Sequence, residues 1–219
     1  MLNPTHLKLL NEAILKRGWD ISENAQENCL RYVELLHKWN AVHNLTAIHD
    51  PIEMIHRHII DSLTLYPWII SSSAQPVQRI VDVGTGAGLP GIILAICLPE
   101  LSFVLLDSNQ KKINFVQHVV LSLQLKNVSS VCCRVEQYKP SELFDWVVSR
   151  AYASLANFVI SAGHLCRIGG RWVAMKGQLS EQERAELPTS YTLERCEPID
   201  DPESKNYRCL VFIKRAQDV

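Results

Sequence analysis

Arg79-Ile80-Val81-Asp82-Val83-Gly84-Thr85-Gly86-Ala87-Gly88-Leu89-Pro90-Gly91 is the stretch on which the fold turns. A short apolar run meets three alternating glycines, and an apolar helical pattern follows. This reads as a strand, a tight turn and a helix start. In an open α/β sheet, ligands bind outside the carboxyl ends of strands, near such a turn. Glycines let the backbone approach a ligand where a Cβ would clash.

Downstream, apolar strand patterns recur at 79–83, 102–107, 129–134, 144–149 and 171–176, with helical stretches beginning near 89, 110 and 154. Such alternation implies a mostly parallel sheet with right-handed crossovers. Residues 190–197 and 206–214 read as two strands with no helix between them, which adds one antiparallel strand. Upstream, Asn3 and Pro4 read as a helix cap and first turn. Gly18 ends that helix, and Ser22 caps a second with Tyr32, Leu35, Leu36 and Trp39 at helical spacing. Asp50, Pro51 and Glu53 open a third, which carries His56, Arg57, His58 and Asp61. The organisation is therefore a helical N-terminal subdomain (1–75), a small polar linker at its end, and a Rossmann-like domain (76–219).

The 219 residues are 47% hydrophobic with mean hydropathy near zero, so the chain can bury a sizeable core. Formal net charge is −1, and neither part is a basic arm, so charge alone gives no sign of nucleic-acid binding. Seven cysteines without a C-x-x-C pair read as free thiols in a reducing cytosol. No apolar run reaches the ~18 residues of a membrane span, and the first residues lack a signal-peptide pattern. The expectation is a cytoplasmic protein with no membrane and no metal. His56 and His58 lie two apart, a poor spacing for a shared ligand.

Counting glycines separates two cofactor classes. A dinucleotide fingerprint is G-x-G-x-x-G, but from Gly84 its third glycine position is Leu89. The stretch instead places Asp82 two residues ahead of Gly84, Gly86 and Gly88. This resembles the first motif of class I S-adenosylmethionine-dependent methyltransferases. That ligand has no pyrophosphate and carries an ammonium and a sulfonium, which favour a nearby carboxylate. Asp82 can meet that cation or fix the turn through backbone amides. Asp107 ends the second strand, where a carboxylate can accept ribose hydroxyls or cap the next helix. Val135 and Glu136, after the third strand, stand where adenine is held; Glu136 alone is more often a solvated helix-start acid. Arg150 ends the fourth strand and can hold the methionine carboxylate or an RNA phosphate. Lys176 ends the fifth, as a phosphate contact or a snorkelling lysine. No Asn/Asp-Pro-Pro-aromatic tetrapeptide and no Pro-Cys occur near the fourth strand.

Further stretches carry a closer resemblance: Trp39-Asn40 with Asn44-Leu45-Thr46-Ala47-Ile48, His58-Ile59-Ile60-Asp61-Ser62-Leu63, Leu89-Pro90-Gly91, Leu106-Asp107-Ser108 with Lys111-Lys112, Arg134 with Glu136, Ser149-Arg150-Ala151, and Lys176-Gly177. In this order they resemble the bacterial family of 16S ribosomal RNA guanine-N7 methyltransferases, the glucose-inhibited division protein B family. Lys112 departs from the arginine often found there, and the tail after 177 carries no motif that aligns. The resemblance implies S-adenosylmethionine contacts at Gly84, Leu89, Val135, Glu136 and Arg150. It implies as partner 16S rRNA, within the 30S subunit or a precursor. Guanine N7 carries a lone pair and no proton, so in-line attack on the sulfonium methyl needs no general base. Arg150 and Lys176 are then positioning candidates, with no certain catalytic residue. Asn44, Arg57, His58 and Lys176 are candidates for RNA contact; capping and interhelical bonds are an equal expectation for Asn44 and His58. Two other readings stay open: an NAD-dependent oxidoreductase and a non-catalytic ribosome-binding protein.

Overall fold

The strands around the glycine turn are apolar on both sides, so each needs cover on two faces. The computed structural model, which describes residues 4–72, 77–150, 152, 154–199 and 207–216, provides it. The strands are β1 (Arg79–Val83), β2 (Ser102–Asp107), β3 (Val128–Cys132), β4 (Phe144–Arg150), β5 (Cys166–Lys176), β6 (Tyr191–Pro198) and β7 (Cys209–Arg215). They form one sheet in the order β3-β2-β1-β4-β5-β7-β6. The first five run parallel, and β7 lies antiparallel between β5 and β6. The order reverses beside β1, so a crevice opens at the carboxyl ends of β1 and β4.

Strand bounds shift from those expected: β4 by one residue at one end, β6 by one residue at each end, and β7 starts at Cys209, while β3 and β5 change what lies at the site. β3 stops at Cys132, which leaves Arg134 beyond it and puts Val135 and Glu136 on a 3-10 turn, Val135–Gln137. β5 begins at Cys166, with Gly169 at φ +74° and a register slip against β4 between Phe144 and Trp146.

The N-terminal helices are α1 (Pro4–Lys16) and α2 (Glu23–His43). Ser22 caps α2 by accepting from the Ala25 N–H, and Asp50 caps the third helical segment by accepting from Glu53 N–H. That segment is not one regular helix. It runs as α3 (Pro51–Met54), a π turn (Ile55–Ile60) and α4 (Asp61–Leu63), followed by α5 (Tyr66–Ile70). Single-turn π segments often accompany functional sites. Crossovers are α6 (Gly91–Cys97), α7 (Gln110–Ser122) and α8 (Leu155–Ala162), and the short α9 (Glu181–Ala185) follows β5.

On one sheet face, Ile80, Phe103, Leu105, Trp146, Val148 and Phe212 share a core with α6, α7 and the N-terminal helices. On the other, Val81, Val104, Val147, Ala174 and Val211 meet Leu155, Phe158 and Val159 of α8. Leu10, Leu36, Ile55 and Ile59 of the N-terminal helices are fully buried. At about 1.5–3 kcal/mol each, these four alone contribute a gross stabilisation comparable to the net stability of a whole domain. The helical region is therefore a layer of the same core. The expected boundary at 75/76, like the Asn3 cap, lies outside the described residues.

Candidate active site

Gly84, Gly86 and Gly88 have φ of +70°, +61° and +88°, a region L side chains rarely adopt. The Gly84 and Thr85 N–H groups both donate to the Leu106 carbonyl, which ties the turn to β2. Ala87, between two of the glycines, accepts from the Tyr32 hydroxyl of α2 at 2.8 Å. The turn is thus braced from the sheet and from the N-terminal helices.

Asp82 is fully buried at the end of β1. Its Oδ2 accepts from the Thr85 hydroxyl at 2.7 Å and from the Gly91 N–H at 2.9 Å. Its Oδ1 is buried with no hydrogen-bond partner. Burial pushes the carboxyl up to about 6, against the pull of those two bonds. Both expected roles are physically compatible: one oxygen fixes the turn, and the other remains an acceptor. An orphan carboxylate oxygen in a dry site is costly unless a donor arrives.

Asp107 ends β2. Its Oδ1 accepts from Asn109 N–H at 2.9 Å and its Oδ2 from Gly86 N–H at 3.0 Å, with the Lys112 ammonium at 3.7 Å. The cap of α7 is Asn109, which accepts from the Lys111 and Lys112 N–H groups, so the expected capping role of Asp107 is corrected. A carboxylate oxygen has two lone pairs, so Asp107 keeps acceptor capacity for a hydroxyl. On the turn after β3, Val135 is buried and Glu136 is exposed.

At the end of β4, the Arg150 Nη1 lies 3.2 Å from the Arg57 carbonyl and 3.5 Å from Asp61 Oδ2. Asp61 also accepts from Arg208 Nη2 at 2.7 Å, and its side chain is only 1% exposed. Burial raises the Asp61 carboxyl, against the two arginines that lower it. His58 Nε2 is 3.0 Å from the Thr46 hydroxyl and Nδ1 is 3.0 Å from the Arg57 carbonyl. This pattern assigns the Nδ1–H tautomer, with Thr46 donating to Nε2. Burial, and then the Arg150 charge, push His58 down to about 4, so the ring is neutral at working pH.

The remaining candidates separate from this cluster. His58 is buried and braces the mouth, so it presents no surface to RNA. Asn44 is the left-handed C-cap of α2, at φ +49°, with an exposed side chain. Arg57 is exposed and 4.0 Å from Glu53. Lys176 is not presented to a phosphate: its ammonium pairs with Glu183 at 2.7 Å, and Glu183 also accepts from the Leu155 N–H. That pair joins β5 and α9 to the start of α8. Sequence reasoning misses Arg208, because one arginine in a motif-free tail carries no local signal.

The family model described as GidB, rRNA small subunit methyltransferase G, matches residues 25–210. The chain belongs to this family. It is 44% identical over 207 residues to the ribosomal RNA small subunit methyltransferase G of Salmonella arizonae, covering 94% of this chain and 95% of the relative. Its counterpart in Aeromonas salmonicida is 43% identical over 211 residues, covering 96% and 99%. Among solved structures, magnesium protoporphyrin IX methyltransferase from Synechocystis with bound S-adenosylmethionine has a TM-score of 0.58 at 10% identity, covering 84% of this chain and 97% of that one. N-methyltransferase NodS from Bradyrhizobium japonicum with S-adenosyl-L-homocysteine has a TM-score of 0.56 at 13% identity, covering 86% and 99%. The latter two show the fold: a class I S-adenosylmethionine-dependent methyltransferase.

Membership in the small-subunit methyltransferase G family replaces the oxidoreductase reading, and its cofactor is S-adenosylmethionine. The residues present fit that cofactor. Asp82 offers a buried acceptor with no protein donor, Asp107 keeps free lone pairs, and the glycines leave the backbone bare between them. Among the described residues, no cluster of His, Cys, Asp or Glu could hold a metal, and no helix is long and apolar enough to cross a membrane.

Proposed function

We propose that this protein transfers a methyl group from S-adenosylmethionine to N7 of one guanine of 16S rRNA. The observation that carries the reading is the state of the ionisable groups at the end of β4. Arg150 is ion-paired to Asp61, Asp61 is held by two arginines, and His58 is neutral with both ring nitrogens bonded. Arg150 and the neutral, doubly bonded His58 offer no open proton acceptor, Asp61 keeps only a buried oxygen, and guanine N7 has no proton to lose.

The cofactor, when bound, supplies an electrophilic methyl on sulfur. Asp82 Oδ1 would accept from its ammonium, Asp107 would accept from its ribose, and Glu136 with Val135 would hold its adenine. Leu89 and Gly84 would close the turn against it. Arg150, steadied by Asp61 and the Arg57 carbonyl, would attract its carboxylate. Catalysis is then positioning plus exclusion of water from the sulfonium. The guanine must leave its stack or offer its Hoogsteen edge.

The test is labelled cofactor with 30S particles and with naked 16S rRNA, followed by mapping of the modified nucleotide by cleavage at N7-methylguanine. Label at one guanine is expected; label only in protein or in small molecules overturns the reading. Single-turnover methyl transfer should also show no rate step from a general base between about pH 7 and 9.

A further inference from the structure

If RNA is the substrate, the chain beside the target guanine must rest on a surface next to the mouth, and the role of that surface rests on the RNA reading. Trp39, in the last part of α2, is half-buried. Its inner side meets Phe115 of α7 at 5.5 Å between ring centres, and Phe115 joins it to the core. Two more rings sit against the same indole. His43, one turn further along α2, is at 4.9 Å, and His118 of α7 is at 5.2 Å. His118 is exposed and His43 is half-exposed. Lys111 lies seven residues before His118 on α7, so the two share a helix face, and it is exposed.

The core has no need of those two imidazoles. Phe115 already seals the inner side of Trp39, and a surface imidazole gains little from burial. They leave an indole and two imidazoles, drawn from two helices, at the water boundary with an ammonium on one side. The location is equally informative. On the α2 side, Thr46, three residues past His43, bonds His58, which braces the mouth. On the α7 side, Phe115 meets Tyr32 at 6.1 Å between ring centres, and the Tyr32 hydroxyl donates to Ala87 of the glycine turn. The cluster therefore packs against residues that brace the cofactor turn.

We propose that the Trp39–His43–His118 cluster, with Lys111, is the docking surface for an unpaired stretch of substrate RNA flanking the target guanine. Bases stack on the rings, and Lys111 meets a phosphate. Stacking needs only a π face, so this surface gives affinity and register rather than base choice. Choice of the guanine remains with the mouth.

The test uses the full chain and 30S particles as substrate. The double variant His43→Ala/His118→Ala should raise KM for the particle by about 5- to 100-fold, the range for losing a stacked base. Its kcat at saturation and its affinity for S-adenosyl-L-homocysteine should match wild type. His118→Phe, which keeps a π face, should hold KM near wild type in an otherwise native chain. A photo-crosslinker at position 118 should mark 16S nucleotides near the methylated guanine. An unchanged KM in the double variant, a cross-link only to ribosomal protein, or an equal loss of cofactor affinity overturns the docking surface. If wild type itself leaves the particle unlabelled, the methyltransferase reading falls instead.

Discussion

Asp82→Asn separates what the glycine turn needs from what the cofactor needs. Burial moves this carboxyl from 3.8 to about 6, a rise of about two units. At about 1.4 kcal/mol per unit, keeping the group ionised in the folded protein costs about 3 kcal/mol at neutral pH. The folded state binds this proton more tightly than the unfolded state does. Stability of the cofactor-free protein therefore grows as pH falls from above about 6 towards 3.8, and the full cost is present above that window. Asparagine carries no charge, so the cost disappears. Its carbonyl oxygen can keep the bonds from Thr85 and Gly91. Its amide then replaces the unpartnered Oδ1 and carries its own unsatisfied-donor penalty of about 1–3 kcal/mol. The net effect at neutral pH is a cofactor-free protein between unchanged and about 2 kcal/mol more stable.

Cofactor affinity should move the other way. A charge-assisted bond to the cofactor ammonium is worth about 1.5–3 kcal/mol, so the variant should bind S-adenosyl-L-homocysteine roughly tenfold to a hundredfold more weakly. Calorimetric titration at neutral pH reads the affinity, and denaturant unfolding without ligand reads the stability. Wild-type affinity should also decline as pH falls through about 6, while the variant shows no such decline. A variant that binds as wild type does, or a wild-type affinity flat across that range, refutes the reasoning and leaves Asp82 as a turn-fixing residue only.

Tyr32→Phe removes the donor to the Ala87 carbonyl and keeps the ring; leaving that carbonyl unsatisfied costs about 1–3 kcal/mol, read as a weaker affinity for S-adenosyl-L-homocysteine alongside a lower melting temperature. Asp61→Asn takes the counter-charge from Arg150 and Arg208; a raised KM for S-adenosylmethionine is expected with little loss in denaturant unfolding, since burial already disfavours the charged carboxyl, and an unchanged KM would show that Arg150 holds its place without it. Gly91→Ala would set a Cβ 2.1 Å from Leu105 Cδ2 and 2.9 Å from Asp82 Oδ2; overpacking of about 1–3 kcal/mol and displacement of the carboxylate should lower both stability and cofactor binding.

What the sequence made legible is what is encoded locally. Gly84, Gly86 and Gly88 announce their turn because only glycine accepts those angles cheaply, and Ser22 and Asp50 announce helix starts because a cap acts within three residues. The strands follow from apolar runs bounded by turns. The π turn at Ile55–Ile60 was hidden, since its apolar spacing passes for an ordinary helix. Lys176 misled for a related reason: its partner Glu183 stands on a separate short helix, so strand-end position alone suggested an open ammonium. Arg208 and Asp61 are 147 positions apart, and no periodicity connects them.

These long-range bonds also change what the N-terminal helices are for. Read from its pattern, the sequence divides into a helical subdomain (1–75) and a Rossmann-like domain. In the structure, Tyr32 holds the cofactor turn, Thr46 holds His58, and Asp61 holds Arg150 and Arg208. Each of these bonds crosses from a helical or loop residue of that region to the mouth or to a residue that lines it. A separable recognition module would leave the turn and Arg150 in place when removed. Here its removal would free the Ala87 carbonyl, strip Arg150 of its carboxylate and expose one face of the sheet. The glycine turn and Arg150 are thus braced by a layer they share with the N-terminal helices, and damage to α2 should weaken affinity for S-adenosyl-L-homocysteine.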